Sequence, residues 1–273
     1  GSQEFFDTMQ SHGIDIAFLG GETADVGDVV KTIAVNGTMA ARWPKSKIIS
    51  NEKIKPGDVI VGLASYGQAI YEDEYNSGIG SNGLTSARHD VLSKYYAQNF
   101  PESFDETIDE EVVYIGKHRM TDTVTVDYKN EAIETTIGKL ILSPTRTYAP
   151  VVKQVLENHF DAVHGLIHCS GGGQTKCMKY MPAGVKVIKD NLFEAPPIFK
   201  TIQQSSGADD KEMYQVFNMG CRLEIYTDKK SADDIISTVK GFGIDAQLIG
   251  RVEAADSNEL VVFNATRQIS FQV

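Results

Sequence analysis

The chain has 273 residues, 41% hydrophobic and 23% charged, the balance of a globular protein large enough for two lobes. With 37 acidic residues against 26 basic ones the net charge is −11, which argues against a nucleic-acid-binding surface as the main role. No apolar run approaches the ~20 residues of a membrane helix. Three irregularly spaced cysteines point to a reducing compartment, so the expected location is cytoplasmic, with neither nucleic acid nor membrane as partner.

In chain order, Phe5, Phe6 and Met9 predict a short opening helix ending near Gly13. Residues 14–19 read as a buried strand running into Gly20-Gly21-Glu22-Thr23-Ala24-Asp25, a glycine turn with two carboxylates. Such a turn suits a metal or phosphate ligand, or is simply solvated. Residues 29–39 read as a further strand, rich in β-branched side chains. A Lys-Pro-Gly-Asp turn at 55–58 precedes an apolar strand over 59–64, and marks the expected domain boundary, with lobes over 1–54 and 55–273. Glycine-rich loops then lead through Gly80-Ser81-Asn82-Gly83 into a helix expected over 84–96.

Residues 99–130 read as an insertion, with a hairpin suggested by Thr/Val alternation at 121–126. Ser143-Pro144 predicts a helix start, with Val151, Val152 and Val155 on its apolar face and Arg146 in its first turn, facing a carboxylate or a phosphate. Strands are expected over 162–167 and 185–188, a helix from Pro196-Pro197 to about Gln204, and a half-polar strand over 223–226. A helix capped by Ser231, then strands over 246–252 and 260–263, complete the chain. Helices alternating with half-polar strands predict an α+β protein with mixed sheets and helices packed on one face.

The stretch with the most chemical content is His168-Cys169-Ser170-Gly171-Gly172-Gly173. Three residues without Cβ atoms let the backbone turn sharply and aim several N–H groups at one oxyanion. His168, at the strand end, is placed to meet whatever sits there. A tight turn without a ligand accommodates the same residues. The cysteines read as small buried side chains, with spacing that suits neither a zinc site nor a thiol nucleophile.

Gly20-Gly-Glu-Thr-Ala24, Ser81-Asn-Gly83, Pro144-Thr-Arg-Thr-Tyr148, His168 with Gly171-Gly-Gly173, and Met213-Tyr-Gln-Val-Phe-Asn-Met-Gly220 occur together in an order that resembles aminoimidazole ribonucleotide synthetase (phosphoribosylformylglycinamidine cyclo-ligase). The resemblance spans nearly the whole chain. It implies a two-lobed, PurM-like architecture whose N-terminal ATP-binding and dimerisation lobe is incomplete here, because that family's glycine-rich lid and aspartate loop lie upstream of the Gly-Gly-Glu-Thr stretch. It also implies ATP-dependent ring closure of formylglycinamidine ribonucleotide in purine biosynthesis, with ATP and Mg²⁺ as cofactors, a small-molecule nucleotide substrate and a homodimer. A fragment of this length is expected not to turn over by itself. A non-catalytic nucleotide-binding relative, or another ATP-using enzyme of the same architecture, is the alternative.

By this resemblance Gly20, Gly21, Glu22 and Thr23 contact the nucleotide, and Glu22 and Asp25 hold Mg²⁺. Ser81, Asn82, Ser170, Gly171, Gly172 and Gly173 bind substrate, and His168 hydrogen-bonds the activated oxygen or shuttles a proton. Asn218 is expected to shape its own turn, with Met213 and Phe217 in the core. One departure bears on the site: where the family usually has histidine before Ser-Asn-Gly, this chain has Gly80.

Overall fold

The structure is a computed structural model describing all residues except 29, 31–33, 266 and 273. The elements in order are α1 (Ser2–Ser11), β1 (Val59–Ala64), α2 (Leu84–Val91), α3 (Tyr95–Asn99), β2 (Thr123–Tyr128), β3 (Glu131–Thr136), α4 (Ile137–Ile141) and α5 (Ala149–His159). There follow β4 (Val163–His168), β5 (Val185–Lys189), α6 (Pro197–Ser206), α7 (Asp210–Val216), β6 (Cys221–Thr227), α8 (Ala232–Lys240), β7 (Ala246–Ala254), β8 (Glu259–Asn264) and β9 (Arg267–Gln272). Seven strands form one sheet in the order β4-β6-β1-β7-β5-β8-β9. All neighbours run antiparallel except β5 and β8.

The α+β class with a mixed sheet stands as read from the sequence, but the helices divide between both faces instead of covering one. The period of two along β1 shows why. Ile60 and Ala64 join a core with Val91 of α2, Ile198 and Phe199 of α6 and Met213 of α7. Val61 and Leu63 join another with Val151 and Val155 of α5 and Ile235 and Val239 of α8. Gly62 lies on the first face, where a Cβ would stand 2.5 Å from Ile249 Cγ2 and 2.9 Å from Cys221 Sγ. Each aliphatic side chain buried this way contributes about 1.5–3 kcal/mol.

A hairpin forms, β2 with β3 in continuous antiparallel register, but its second strand, Glu131–Thr136, lies beyond the insertion expected over 99–130. Its turn is Lys129-Asn130, both at positive φ, the pair of left-handed residues that a two-residue turn matched to strand twist requires. Tyr128 anchors the hairpin to the body: its phenol lies where a Cβ on Gly67 would be 2.3 Å away, and Tyr128 Oη donates to Asp245 Oδ2 at 3.3 Å.

Several expectations are corrected. Residues 14–19 are not a buried strand: they are irregular, with Phe18 and Leu19 exposed at 64% and 94%, and no strand among the described residues pairs with them. The strand expected over 29–39 lies partly outside the described residues; its remainder, 30 and 34–39, is irregular. The helix read over 84–96 breaks after Val91 and resumes at Tyr95. The helix read from Ser143-Pro144 starts at Ala149 with Pro150 in its first turn. Ser143 spends its hydroxyl on Lys139 O and Ser77 N instead. Ser231 occupies the N-cap of α8 but makes no side-chain cap bond; Asp228 Oδ1 accepts from the amides of Lys230 and Ser231. All seven residues of β6 are buried, so its polar alternation does not mark a solvent face.

Candidate functional site

The turn after β4 is built by a short chain of backbone bonds. His168 pairs with Leu223 of β6, Cys169 N donates to Arg222 O at 2.6 Å, Ser170 N to His168 O at 2.8 Å and Gly173 N to Ser170 O at 2.8 Å. That leaves the amides of Gly171 and Gly172 without an internal acceptor among the described residues. Two of the glycines are required. Gly172 has φ +96°, while at Gly173 (φ +48°) a Cβ would meet Phe217 O at 2.4 Å and Tyr214 O at 2.6 Å. Over Gly172 the nearest atoms to a Cβ lie 3.7 Å away, ordinary van der Waals contact, so its positive φ and not a clash calls for glycine. The segment behind, Gly173–Lys179, is a 3₁₀ helix.

A second loop, between β1 and α2, meets this turn. Asn218 ties that loop to its own turn: its Oδ1 accepts from Ser65 Oγ at 2.7 Å and Gly220 N at 2.9 Å, and its Nδ2 donates to Gly78 O at 2.9 Å. Its expected structural part in the turn is therefore observed, with Met213 and Phe217 buried beside it. Asn82 Nδ2 donates to Val216 O at 2.8 Å, and its Oδ1 would lie 3.3 Å from a Cβ on Gly171. The structure thus brings Asn82 to Gly171, in the turn that also carries Ser170, Gly172 and Gly173. Ser81 is exposed, its amide held by Thr145 Oγ1 at 3.1 Å. Neither Ser81 nor Asn82 caps α2, whose N-cap is Gly83.

His168 stands exposed at the end of β4, edge-on to Tyr148 with ring centroids 6.4 Å apart. Partial desolvation of its ring, then the positive charges of Arg222 and Lys176, hold its pKa below the ordinary 6.5. The imidazole is neutral at neutral pH. Arg222 is only 2% exposed. Its Nη2 donates to Gly78 O at 3.1 Å and Ile79 O at 2.7 Å, and its guanidinium lies against Gly80, where a Cβ would be 2.4 Å from Nη2. Gly80, left-handed at φ +61°, makes room for it.

Beneath the turn lies a network that sequence reasoning missed. Lys189 of β5 and Glu224 of β6 form a fully buried ion pair. Lys189 Nζ also donates to Gln174 O at 2.8 Å and Gln174 Oε1 at 3.0 Å. Glu224 accepts from Tyr226 Oη at 2.7 Å and Cys169 Sγ at 3.3 Å. Gln174 Nε2 returns to Asn218 O at 2.6 Å and Cys221 O at 2.8 Å. Burial would lower the Lys189 pKa, but the surrounding acidic groups, Cys177 and Glu224 foremost, raise it. Burial pushes the Cys177 thiol up to about 11 and raises those of Cys169 and Cys221 too, in keeping with packed, protonated thiols. A lysine and a glutamate inside apolar strand strings were the available signal, but sequence does not say that the two face each other.

Arg146 is accounted for by a carboxylate. Its Nε and Nη2 form a bidentate pair with Glu72 at 2.8 and 2.6 Å, and Nη1 donates to Ala64 O and Tyr66 O. Gly20, Gly21, Glu22, Thr23 and Asp25 lie on an exposed irregular segment, where Asp25 Oδ1 accepts from Gly27 N at 3.2 Å. No hydrogen bond joins them to the glycine turn among the described residues.

Comparison with known proteins places this geometry in context. The phosphoribosylformylglycinamidine cyclo-ligase of Methanocaldococcus jannaschii is 34% identical over 238 residues, 87% of this chain and 57% of that protein. The protein of the same name from Methanococcus vannielii is 36% identical over 240 residues, 88% and 56% respectively. A crystal structure of E. coli HypE, a hydrogenase maturation protein, aligns over 82% of this chain and 51% of that one, at 12% identity and TM-score 0.39. The chain spans a little over half the length of the curated relatives it matches. Residues 112–263, from within the insertion to the end of β8, match the AIR synthase related protein C-terminal domain, and the chain belongs to that family.

Proposed function

We propose that this chain carries the substrate-binding part of a cyclo-ligase that closes formylglycinamidine ribonucleotide to aminoimidazole ribonucleotide at the expense of ATP, in purine biosynthesis in the cytoplasm. The observation that carries the reading is the meeting of the 80–83 loop with the triple-glycine turn beside His168; the names of the relatives supply the chemistry. In the reaction the formyl oxygen takes the γ-phosphoryl group of ATP, releasing ADP, and the amidine nitrogen then attacks the activated carbon and phosphate leaves. Gly171 N and Gly172 N offer two donors to a substrate oxyanion. Ser81, Asn82 and Ser170 orient the substrate. His168, neutral at working pH, accepts the proton that the amidine nitrogen loses on ring closure.

In this reading residues 1–54 belong to the nucleotide-binding, dimer-forming lobe and 55–273 to the lobe with the substrate loops. Gly20, Gly21, Glu22 and Thr23 face ATP. Glu22 and Asp25 are two exposed carboxylates, which suits Mg²⁺, an ion that retains waters and completes its shell with phosphate oxygens. Among the described residues no group of three or more acidic, histidine or cysteine side chains forms a metal cluster, and no step of the reading runs through the ion.

The test is a calorimetric titration of the 273-residue chain with formylglycinamidine ribonucleotide. Saturable binding that disappears in Gly172→Val is the expected result. Absence of binding by the unaltered chain overturns the reading.

A further inference from the structure

The glycine turn has a charge that the fold does not neutralise. Arg222 is buried to 2% exposure at the start of β6, and burying a guanidinium is costly unless other groups compensate it. Compensation here is incomplete. Only Nη2 is used, by the carbonyls of Gly78 and Ile79; those two bonds need a donor, not a full charge. No hydrogen bond uses Nε or Nη1, and no carboxylate forms an ion pair with the guanidinium, among the described residues. The other buried cations contrast with it: Arg146 has Glu72, and Lys189 has Glu224.

Arg222 is also close to the turn. Its guanidinium lies against Gly80, two residues before Asn82, whose Oδ1 approaches Gly171 beside the free amides, and Cys169 N, at the base of the turn, donates to Arg222 O at 2.6 Å. The charges of Arg222 and Lys176 both lower the pKa of His168, in a protein whose net charge is −11. The place of the guanidinium is kept open by glycine. Gly80 has no side chain where a Cβ would lie 2.4 to 2.8 Å from Nη2, Cζ and Nη1 of Arg222, so any other residue there would displace the guanidinium.

We propose that Arg222 is the counter-charge of the cradle, its free guanidinium edge pairing with a phosphoryl oxygen of the ligand that the Gly171 and Gly172 amides hold. This rests on the reading of the glycine turn as a substrate cradle, and adds to it the residue that supplies the charge and the chemical class of the bound group. An arginine suits the task because its Nε and Nη1 donors stay free while Nη2 is held, and it stays charged when buried. The carbonyl bonds of Nη2 fix the plane of the guanidinium before the ligand arrives.

The experiment is a titration of the 273-residue chain with inorganic phosphate at constant ionic strength, followed by NMR through the Gly171 and Gly172 amides and the Arg222 Nε–H. The three signals should move together and saturate with one dissociation constant. Arg222→Met should weaken that constant at least tenfold. Gly80→Ala keeps the arginine but puts a methyl group where the guanidinium lies, and should weaken phosphate several-fold; alanine is the mildest side chain to place at φ +61°, thermal melting checks that the variant is folded, and it decides the matter if Arg222→Met does not. Unchanged phosphate affinity in Gly80→Ala and in a folded Arg222→Met overturns the role of Arg222 and leaves the cradle standing. No response to phosphate by the unaltered chain overturns both.

Discussion

The two sides of the glycine turn use charge in opposite ways. Underneath, Lys189, Glu224, Gln174 and Tyr226 satisfy one another within a closed network, and the turn is held rigidly over β5 and β6. Above, the positive charges of Arg222 and Lys176 both act on His168, and no carboxylate pairs with Arg222 among the described residues. Each side has a buried basic group near the same backbone, Lys189 below and Arg222 above, yet only Lys189 has its counter-charge. Matched buried charge fixes architecture; unmatched charge at an opening has a free-energy deficit that a bound anion removes.

The comparison breaks most visibly from below. Glu224→Ala leaves Lys189 charged and buried without its partner, and should cost about 3–5 kcal/mol of stability by denaturant unfolding. Replacing both, with Lys189→Met and Glu224→Leu, should recover most of that loss, because no charge is then stranded. If Glu224→Ala unfolds like the unaltered protein, the network is not what supports the turn.

From above, Gly172→Val should act on binding more than on folding. The nearest atoms to a Cβ there are at 3.7 Å, so space is available, but φ +96° strains a β-branched residue by about 1–3 kcal/mol. Affinity for the substrate nucleotide should fall at least tenfold in the titration. His168→Ala, by contrast, should bind substrate normally and, in the complete two-lobed enzyme, lose mainly kcat in an assay of ADP release. Normal turnover would make His168 a bystander at the strand end.

A smaller effect separates the sides by pH. His168 and the buried His89 both have pKa values lowered, chiefly by burial and then by neighbouring positive charge. Below the ordinary 6.5 and down to each folded-state value, the unfolded chain binds protons that the folded chain does not. Stability therefore rises with pH through that window and is lost as pH falls below about 6.5. Melting curves from pH 5 to 7.5 should show this slope, reduced in Arg222→Met, where the imidazole of His168 regains part of its basicity. An unchanged slope would mean that Arg222 exerts no field at His168.

The smallest effect is expected at Glu22. On its exposed segment, Glu22→Gln should change stability by less than about 0.5 kcal/mol. Binding of ATP in titrations with increasing Mg²⁺ should need several-fold more of the ion. An unchanged Mg²⁺ requirement would return Glu22 to a solvated turn.

Local patterns in the sequence determined much of this protein. The apolar run 59–64, the Pro196-Pro197 helix start, the hairpin and the triple glycine at a strand end could all be read because propensity, turn chemistry and steric freedom act between near neighbours. So could the proximity of His168 to that turn. What only the tertiary structure decided involves residues far apart in sequence. Glu224 looked like the polar half of a surface strand until β5 brought Lys189 beneath it. Arg146, open to either a carboxylate or a phosphate, was claimed by Glu72. Residues 14–19, apolar enough for a strand, pair with no strand among the described residues, and a strand requires a partner for its N–H and C=O groups. Arg222 gave no local sign at all: its charge acquired meaning only when Gly80, 142 positions earlier, left space for the guanidinium.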